Sequence, residues 1–141
     1  MEILLVEDSP SDAFIAKEAL KRSGTESNLH IAQDGVEAMA FLRKEAEYAG
    51  APRPDIILLD LNMPRKDGRE VLAEIKTNDR LRCIPVIVFT SSNAPQDIMK
   101  SYQLHANCYI TKPTDFNEFK ALLGAIENFW FKSVTLPGHA C

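Results

Sequence analysis

Chemically reactive side chains follow four of the most apolar stretches in the chain. "LLVED" ends in Glu7 and Asp8, and "IILLDLNMPRKDG" carries Asp60 directly after four apolar residues. Two other stretches end in a hydroxyl and an ammonium group, "VIVFTSS" with Thr90 and "CYITKP" with Lys112. Clustered carboxylates repel one another, and carboxylate, carbonyl and water oxygens are the ligands that Mg²⁺ prefers. Brought together by the fold, these side chains would form a carboxylate nucleophile beside a divalent metal ion.

This set of groups suits the formation of an aspartyl phosphate on Asp60. Negative charge on a moving phosphoryl group could be stabilised by Mg²⁺, the Lys112 ammonium and the Thr90 hydroxyl. The sequence contains no G-x-x-x-x-G-K-[ST] motif, so a nucleotide-binding P-loop is not expected. Each residue alone has a simpler explanation, because Asp and Ser at strand ends commonly cap helices and a single lysine there is usually solvated. The prediction therefore depends on the joint pattern.

Five short apolar runs alternate with five helical patterns along the chain. The runs cover residues 3–6, 29–32, 56–59, 84–89 and 108–110. Most are continuously apolar, which is typical of strands covered on both faces. The alternation predicts an α/β fold of the flavodoxin-like (βα)5 kind, a doubly wound parallel sheet with strand order 2-1-3-4-5. In that order the ends of strands 1, 3, 4 and 5 lie side by side, which would gather the reactive groups in one cleft.

The helical patterns also predict particular ends and buried faces. Ser9 and Asp115 are expected to be N-caps, the latter with Glu118 in a capping-box arrangement, and Gly24 is expected to stop the first helix. Asp34 and Asp67 are interpreted as turn and cap residues. The expected buried faces of the second and third helices comprise Val36, Met39, Ala40 and Leu42, and Val71, Leu72 and Ile75.

Composition limits the classes of function and location. The chain has 141 residues, 45% hydrophobic and 26% charged, as expected of one domain with its own core. A net charge of -4 argues against a nucleic-acid partner. Neither a signal-peptide pattern nor an apolar stretch of ~20 residues occurs, so no membrane association and a cytoplasmic location are expected. Cys83, Cys108 and Cys141 are far apart and are interpreted as two buried small residues and one tail thiol in a reducing compartment.

Taken together, the motifs resemble the receiver domains of two-component response regulators. "LLVED", "IILLDLNMPRKDG", "VIVFTSS" and "CYITKP" occur in the order of that family and span residues 2–127. The resemblance implies that Asp60 accepts a phosphoryl group from a histidine kinase. It also implies that Thr90 hydrogen-bonds the phosphoryl group, that Lys112 pairs with it, and that Thr90 and Tyr109 act as switch residues.

The same resemblance implies a metal site and one unusual peptide bond. Mg²⁺ is the expected ion and Mn²⁺ is an acceptable substitute. The expected ligands are Glu7, directly or through water, Asp8, Asp60 and the backbone carbonyl of Asn62. The bond between Lys112 and Pro113 is expected to be cis.

Two further stretches, "LHANCYITKP" and "FWFKSVTLP", resemble the single-domain response regulators of cyanobacterial phytochrome histidine kinases. We accordingly expect a receiver domain at 1–130 and a short apolar extension at 131–141, with no output domain. The resemblance also implies a homodimer through helix 4, strand 5, helix 5 and the C-terminal tail. Large apolar residues of the tail could instead fold back on their own domain. The residues expected at the dimer or partner surface are Phe129, Trp130, Phe131, Val134 and Leu136.

Other functions are compatible with the same fold. On the leading interpretation the protein is not a turnover enzyme and catalyses only its own phosphotransfer and slow autodephosphorylation. A phosphatase that forms an aspartyl phosphate would require a second acid two residues after the nucleophile, where this chain has Asn62. A flavin-binding module would suffer repulsion between the acidic cluster and the flavin phosphate. An adaptor that never requires phosphorylation is the remaining alternative.

Overall fold

The computed structural model describes residues 1–22 and 27–138, and within them five parallel strands form one sheet. The strands are β1 Glu2–Val6, β2 Asn28–Ala32, β3 Ile56–Leu59, β4 Val86–Thr90 and β5 Cys108–Thr111. Their order across the sheet is β2-β1-β3-β4-β5. The predicted fold class and strand order are therefore confirmed.

A helix follows each strand, and the helices cover both faces of the sheet. They are α1 Pro10–Arg22, α2 Gly35–Arg43, α3 Gly68–Thr77, α4 Pro95–Gln103 and α5 Phe116–Ile126. A short 3₁₀ turn, Ala46–Tyr48, follows α2, and α5 continues directly into a π-helical segment, Glu127–Ser133. Helices α2 and α3 pack on one face and α1 and α5 on the other.

The core consists of two apolar layers separated by the sheet. Alternate residues of β1 and β3 enter opposite layers, so that Leu4 and Ile57 face α2 and α3 while Ile3 and Ile56 face α1 and α5. All four side chains are fully buried. Because both faces of these strands are buried, their sequences are continuously apolar. The close packing also holds their carboxyl ends rigidly.

Most of the predicted helix features are confirmed. The Ser9 hydroxyl, the Asp34 carboxylate and the Asp115 carboxylate accept hydrogen bonds from amides three residues on, as N-caps do. Asp67 occupies the N-cap position of α3, but its carboxylate accepts hydrogen bonds from Arg69 instead of from the helix backbone. The expected stop at Gly24 lies outside the described residues.

The buried face of α2 differs from the expected one. Val36 is 44% exposed, whereas Ala38 and Phe41 are buried together with Met39. The helix ends at Arg43 because Lys44 adopts a left-handed conformation and its amide bonds back to the last turn. All the residues predicted for the buried face of α3 are fully buried, namely Val71, Leu72 and Ile75.

The C-terminal segment packs against its own domain over part of its length. Phe131 is only 9% exposed and joins the core layer beside α1 and α5, with Trp130 and Leu136 at its edge. Phe129 is 56% exposed and Val134 is half-buried. Phe131 thus buries most of its ring within its own chain, and the partner surface expected for the tail stays a prediction.

The cysteines also differ from their interpretation. Cys83 and Cys108 are half-buried rather than fully buried. Cys108 is a free thiol, whereas Cys83 is disulfide-bonded, which the sequence interpretation did not anticipate. Cys141 lies outside the described residues. No helix in the described part of the chain combines the length and the apolar character needed to cross a membrane.

Candidate functional site

The carboxyl ends of four adjacent strands hold the predicted reactive groups. Main-chain hydrogen bonds continue one residue beyond the strands and fix the backbone at each position. They join the Glu7 amide to the Ala32 carbonyl (2.9 Å), the Asp60 amide to the Val6 carbonyl (3.0 Å) and the Lys112 amide to the Thr90 carbonyl (2.7 Å). The site is thus an extension of the rigid sheet.

Three carboxylates meet at this edge of the sheet. Glu7, Asp8 and Asp60 each offer an oxygen, and these oxygens lie within 4.8 Å of one another. Glu7 and Asp60 are buried, while Asp8 is exposed, so the group opens towards solvent on the Asp8 side. Hard oxygen donors at this spacing fit a divalent cation such as Mg²⁺ or Mn²⁺. Asn62 is exposed in the loop after β3, and a role for its carbonyl stays a prediction.

Lys112 lies at the centre of the site and is almost completely buried. Its side chain is 4% exposed and contacts three carboxylates: Glu7, Asp12 at 3.0 Å and Asp60 at 3.2 Å. An ammonium group has three N–H donors, so these contacts can use all of them. The charge on Lys112 partly compensates the repulsion among the acids.

Burial and charge shift the pKa values of this buried pair. Burial raises the pKa of Glu7 to about 7, although the hydrogen bond from Lys112 opposes that shift. Burial lowers the pKa of Lys112, but the hydrogen bond to Glu7 and the charges of Asp60 and Glu7 outweigh it and raise the pKa to about 12. Lys112 is therefore a cation at neutral pH, while Glu7 holds its proton more tightly than an exposed glutamate does.

Thr90 brings a hydroxyl group that the surrounding protein does not satisfy. The residue is fully buried, and its Oγ1 has no hydrogen-bond partner among the described residues. Leaving a buried polar group unpaired costs about 1–3 kcal/mol, which fold stability alone does not justify. Thr90 ends β4, the strand next to β3, which Asp60 follows, and a role for its hydroxyl at the site stays a prediction.

The loop after β3 ends at Gly68, where α3 begins close to the backbone of Asp60. A β-carbon on this residue would clash with the Asp60 carbonyl oxygen and lie 2.7 Å from the Leu61 Cα. The Gly68 amide donates to the Leu61 carbonyl at 2.8 Å. The N-terminus of α3 therefore packs directly against the backbone of Asp60, which only glycine permits.

Tyr109 is tied to the loop between β4 and α4. Its hydroxyl donates to the Ser92 carbonyl at 2.7 Å, and its ring is half-buried against the core. The Ser92 hydroxyl in turn donates to Asp97 at 2.6 Å, and Arg69 donates to the other oxygen of Asp97 at 2.6 Å. The structure connects Tyr109 with α3 and α4, and its role as a switch stays a prediction.

The bond between Lys112 and Pro113 is trans, contrary to expectation.

Sequence reasoning missed two parts of this arrangement. Asp12 contacts Lys112 from the first turn of α1, and its position four residues after Asp8, just beyond the N-cap, was the available signal. The bridge from Arg69 to Asp97 joins residues 28 apart, and no local pattern could have indicated it.

Comparisons with known proteins agree with this geometry. The family model described as the response regulator receiver domain matches residues 3–124. The response regulator Rcp1 of Synechocystis sp. is 52% identical over 135 residues, which cover 96% of this chain and 92% of Rcp1.

Solved structures of response regulators are also similar to this chain. The Mn²⁺-bound form of Rcp1 has a TM-score of 0.94 and 51% identity, over 97% of this chain and 99% of that one. The phosphorylated cyanobacterial phytochrome response regulator RcpA has a TM-score of 0.94 and 50% identity, over 97% and 98% of the two chains. The resemblance to cyanobacterial phytochrome response regulators is thereby confirmed. From its fold, its acidic site and these matches, the chain belongs to the response regulator receiver domain family.

Proposed function

We propose that this protein is a phosphorylation-driven signalling switch in which Asp60 accepts a phosphoryl group from a histidine kinase with the help of Mg²⁺. The observation that carries the proposal is the meeting of Asp60 with two other carboxylates and with Lys112 at one sheet edge. The phosphorylated form of the related RcpA and the Mn²⁺-bound form of Rcp1 support it.

In the proposed reaction, a carboxylate oxygen of Asp60 attacks the phosphorus of a phosphohistidine. The new O–P bond forms as the N–P bond breaks, and the electron pair of that bond remains on the imidazole nitrogen. Glu7, Asp8, Asp60 and the Asn62 carbonyl would hold the metal ion, which would neutralise charge on the phosphoryl oxygens. Lys112 would pair with one phosphoryl oxygen, and the unpartnered hydroxyl of Thr90 would donate to another.

Acetyl phosphate provides a direct test of the acceptor. Incubation with acetyl phosphate and Mg²⁺ should add one phosphoryl group, seen by intact mass and removed by hydroxylamine. Asp60→Asn should abolish the addition, whereas Asp79→Asn, at a carboxylate 91% exposed, should not. Unchanged phosphorylation of Asp60→Asn would refute the assignment. Sustained turnover of a generic phosphate ester would favour a phosphatase, and partner binding unaffected by phosphorylation would favour an adaptor.

The partners follow from the same proposal. A phytochrome-type histidine kinase is the proposed phosphoryl donor, since RcpA is a phytochrome response regulator. Such a partnership would place the protein in the cytoplasm. Transfer from a purified phytochrome-type kinase should be much faster than from an unrelated histidine kinase, and equal rates would contradict this part of the proposal.

We also propose a homodimer through α4, β5, α5 and the C-terminal segment. Met99 and Tyr102 on α4 are 62% and 49% exposed, and Phe129 after α5 is 56% exposed. Together with Pro95 and Ile98, the two α4 residues line an open apolar groove. Apolar exposure of this kind is typical of interaction surfaces.

A further inference from the structure

The ammonium of Lys112 is surrounded by carboxylates of two kinds. Glu7 and Asp60 belong to the group of oxygens that could hold a metal ion, together with Asp8. Asp12 does not belong to that group, yet its Oδ2 lies 3.0 Å from Lys112 Nζ. It reaches the lysine from α1, whereas the other carboxylates are attached to strand ends.

The carboxylates that could bind a metal ion and Asp12 would hold Lys112 differently during the proposed phosphoryl transfer. A metal ion bound by Glu7 and Asp60 would draw electron density from both carboxylates and weaken their hold on Lys112. Phosphorylation would further convert Asp60 into an ester-like group. Of the three carboxylates in contact with the ammonium, Asp12 alone would keep its full charge for Lys112 throughout the reaction.

We propose that Asp12 is a positioning residue that holds the Lys112 ammonium at the end of β5 while Asp60 is phosphorylated. This inference rests on the proposed function. A long lysine side chain has many rotamers, and its charge stabilises a phosphoryl group only if it stays within hydrogen-bond reach. Asp12 acts through Lys112 and makes no contact with the phosphoryl group itself.

The main alternative is that Asp12 serves only helix α1. Acidic residues in the first turn of a helix stabilise it through the helix dipole. The cap of α1, however, is made by the Asp12 backbone amide, which donates to the Ser9 hydroxyl at 3.3 Å. The carboxylate of Asp12 is free of that duty and lies against Lys112. The test must therefore separate the position of the lysine from the stability of the helix.

Three variants separate an effect on the position of Lys112 from an effect on the stability of α1. Asp12→Ala removes both the charge and the acceptor oxygen, whereas Asp12→Asn keeps an oxygen that can still accept from Lys112. Glu18→Ala removes an acid on the same helix whose ion pair among the described residues is with Lys21 at the surface. Phosphorylation by acetyl phosphate at saturating Mg²⁺ is expected to slow roughly tenfold in Asp12→Ala, the low end for residues that support a reactive group. Asp12→Asn should lie between it and wild type, and Glu18→Ala should match wild type.

Calorimetric Mg²⁺ binding and NMR of metal-free protein add readouts independent of phosphorylation. Mg²⁺ affinity should change much less than the rate, and the Lys112 Cε resonance should shift in Asp12→Ala but not in Glu18→Ala. An unchanged rate with an unchanged Lys112 resonance would overturn the inference, as would equal losses in Asp12→Ala and Glu18→Ala. If wild type took up no phosphoryl group, the proposed function would fail, while the NMR comparison would still decide whether Asp12 positions Lys112.

Discussion

At the scale of single residues, the closest packing in the site occurs where α3 begins. Gly68 carries no chemistry, but a side chain at this position would meet the backbone of Asp60 and Leu61. Asp60, the proposed acceptor, and the glycine eight residues later in the chain are therefore packed together as one structural unit. Changing the glycine tests how rigidly the acceptor must be held.

Gly68→Ala is expected to destabilise the protein by about 1–3 kcal/mol, as overpacking does, and to slow the phosphorylation of Asp60. The added methyl group must displace either the start of α3 or the acceptor backbone. Urea unfolding and acetyl phosphate uptake measure the two effects. Gly124→Ala is the matched control, because it lies within α5 and has no atom within 4 Å of the added carbon. It should be stabilising by about 0.5–1 kcal/mol, and a similar gain for Gly68→Ala would refute the close-packing argument.

The clustering of the residues that follow the strands could be predicted, because the carboxyl ends of parallel strands lie at one edge of the sheet. Glu7, Asp60 and Lys112 could therefore be assigned to one site from the sequence alone. The position of Asp12 could not be predicted in this way. A residue on a helix reaches the site only if the helix is rotated about its axis so that this residue faces the site. That rotation depends on how α1 packs against α5, which no local pattern specifies.

At the scale of secondary-structure elements, one network joins α3, α4 and the loop before α4. Arg69 donates to both oxygens of Asp67 at 3.0 Å and to Asp97 at 2.6 Å. Asp97 also accepts from the Ser92 hydroxyl, and the Ser92 carbonyl accepts from Tyr109. Helix α4 buries little apolar surface, with Ser101 its one buried residue, so polar contacts must position it.

Acid should weaken this network in a defined direction. Hydrogen bonds from Ser92 and Arg69 lower the pKa of Asp97 below its ordinary 3.8. A lowered pKa in the folded state contributes stability above pH 3.8, and that contribution is lost as the pH falls through the lower folded value. Wild type should therefore be more stable than Asp97→Asn at neutral pH, and the difference should shrink as the pH falls below 3.8.

Urea unfolding of both proteins across that pH range measures the difference. Asp79→Asn serves as the control, since Asp79 is 91% exposed and its ion pair within the described part of the chain is with Arg82 at 3.7 Å. A stability difference for Asp97→Asn that does not vary with pH would show that the ionised carboxylate is not what positions α4.

The elements themselves were predictable to different degrees. Strand β3 was predicted at its observed bounds because a solid apolar run between polar segments has few other solutions. The buried face of α2 was harder to predict, as the exposed Val36 shows. Nearly every residue of this short helix is apolar, so its buried face depends on tertiary packing. Apolar residues at helical spacing predicted a helix as far as Trp130, but not the π-helical geometry of its last part, in which Phe131 is buried in the core.

At the scale of the whole molecule, the C-terminal segment divides its aromatic residues between the core and the surface. Phe131 is packed inside the chain, whereas Phe129, two residues earlier, is 56% exposed and stands edge-on to Trp130. The sequence could not decide between folding back and self-association, because both bury the same apolar surface. In the structure Phe131 is folded back into the core, whereas Phe129 stays exposed.

Substitutions at these two positions should separate folding from dimerisation. Phe131→Ala is expected to cost about 3–5 kcal/mol of unfolding free energy, as the loss of a buried aromatic side chain does. Phe129→Ala should leave the unfolding free energy within about 0.5 kcal/mol of wild type, as exposed positions usually do, and should shift the protein towards monomer. Sedimentation velocity over a range of concentrations, with and without beryllofluoride and Mg²⁺ as a phosphoryl mimic, reports the association. Urea unfolding of the same samples reports the stability. If Phe129→Ala dimerises as strongly as wild type in both states, the exposed ring is not part of the interface and the proposed dimer must use α4 and β5 without it.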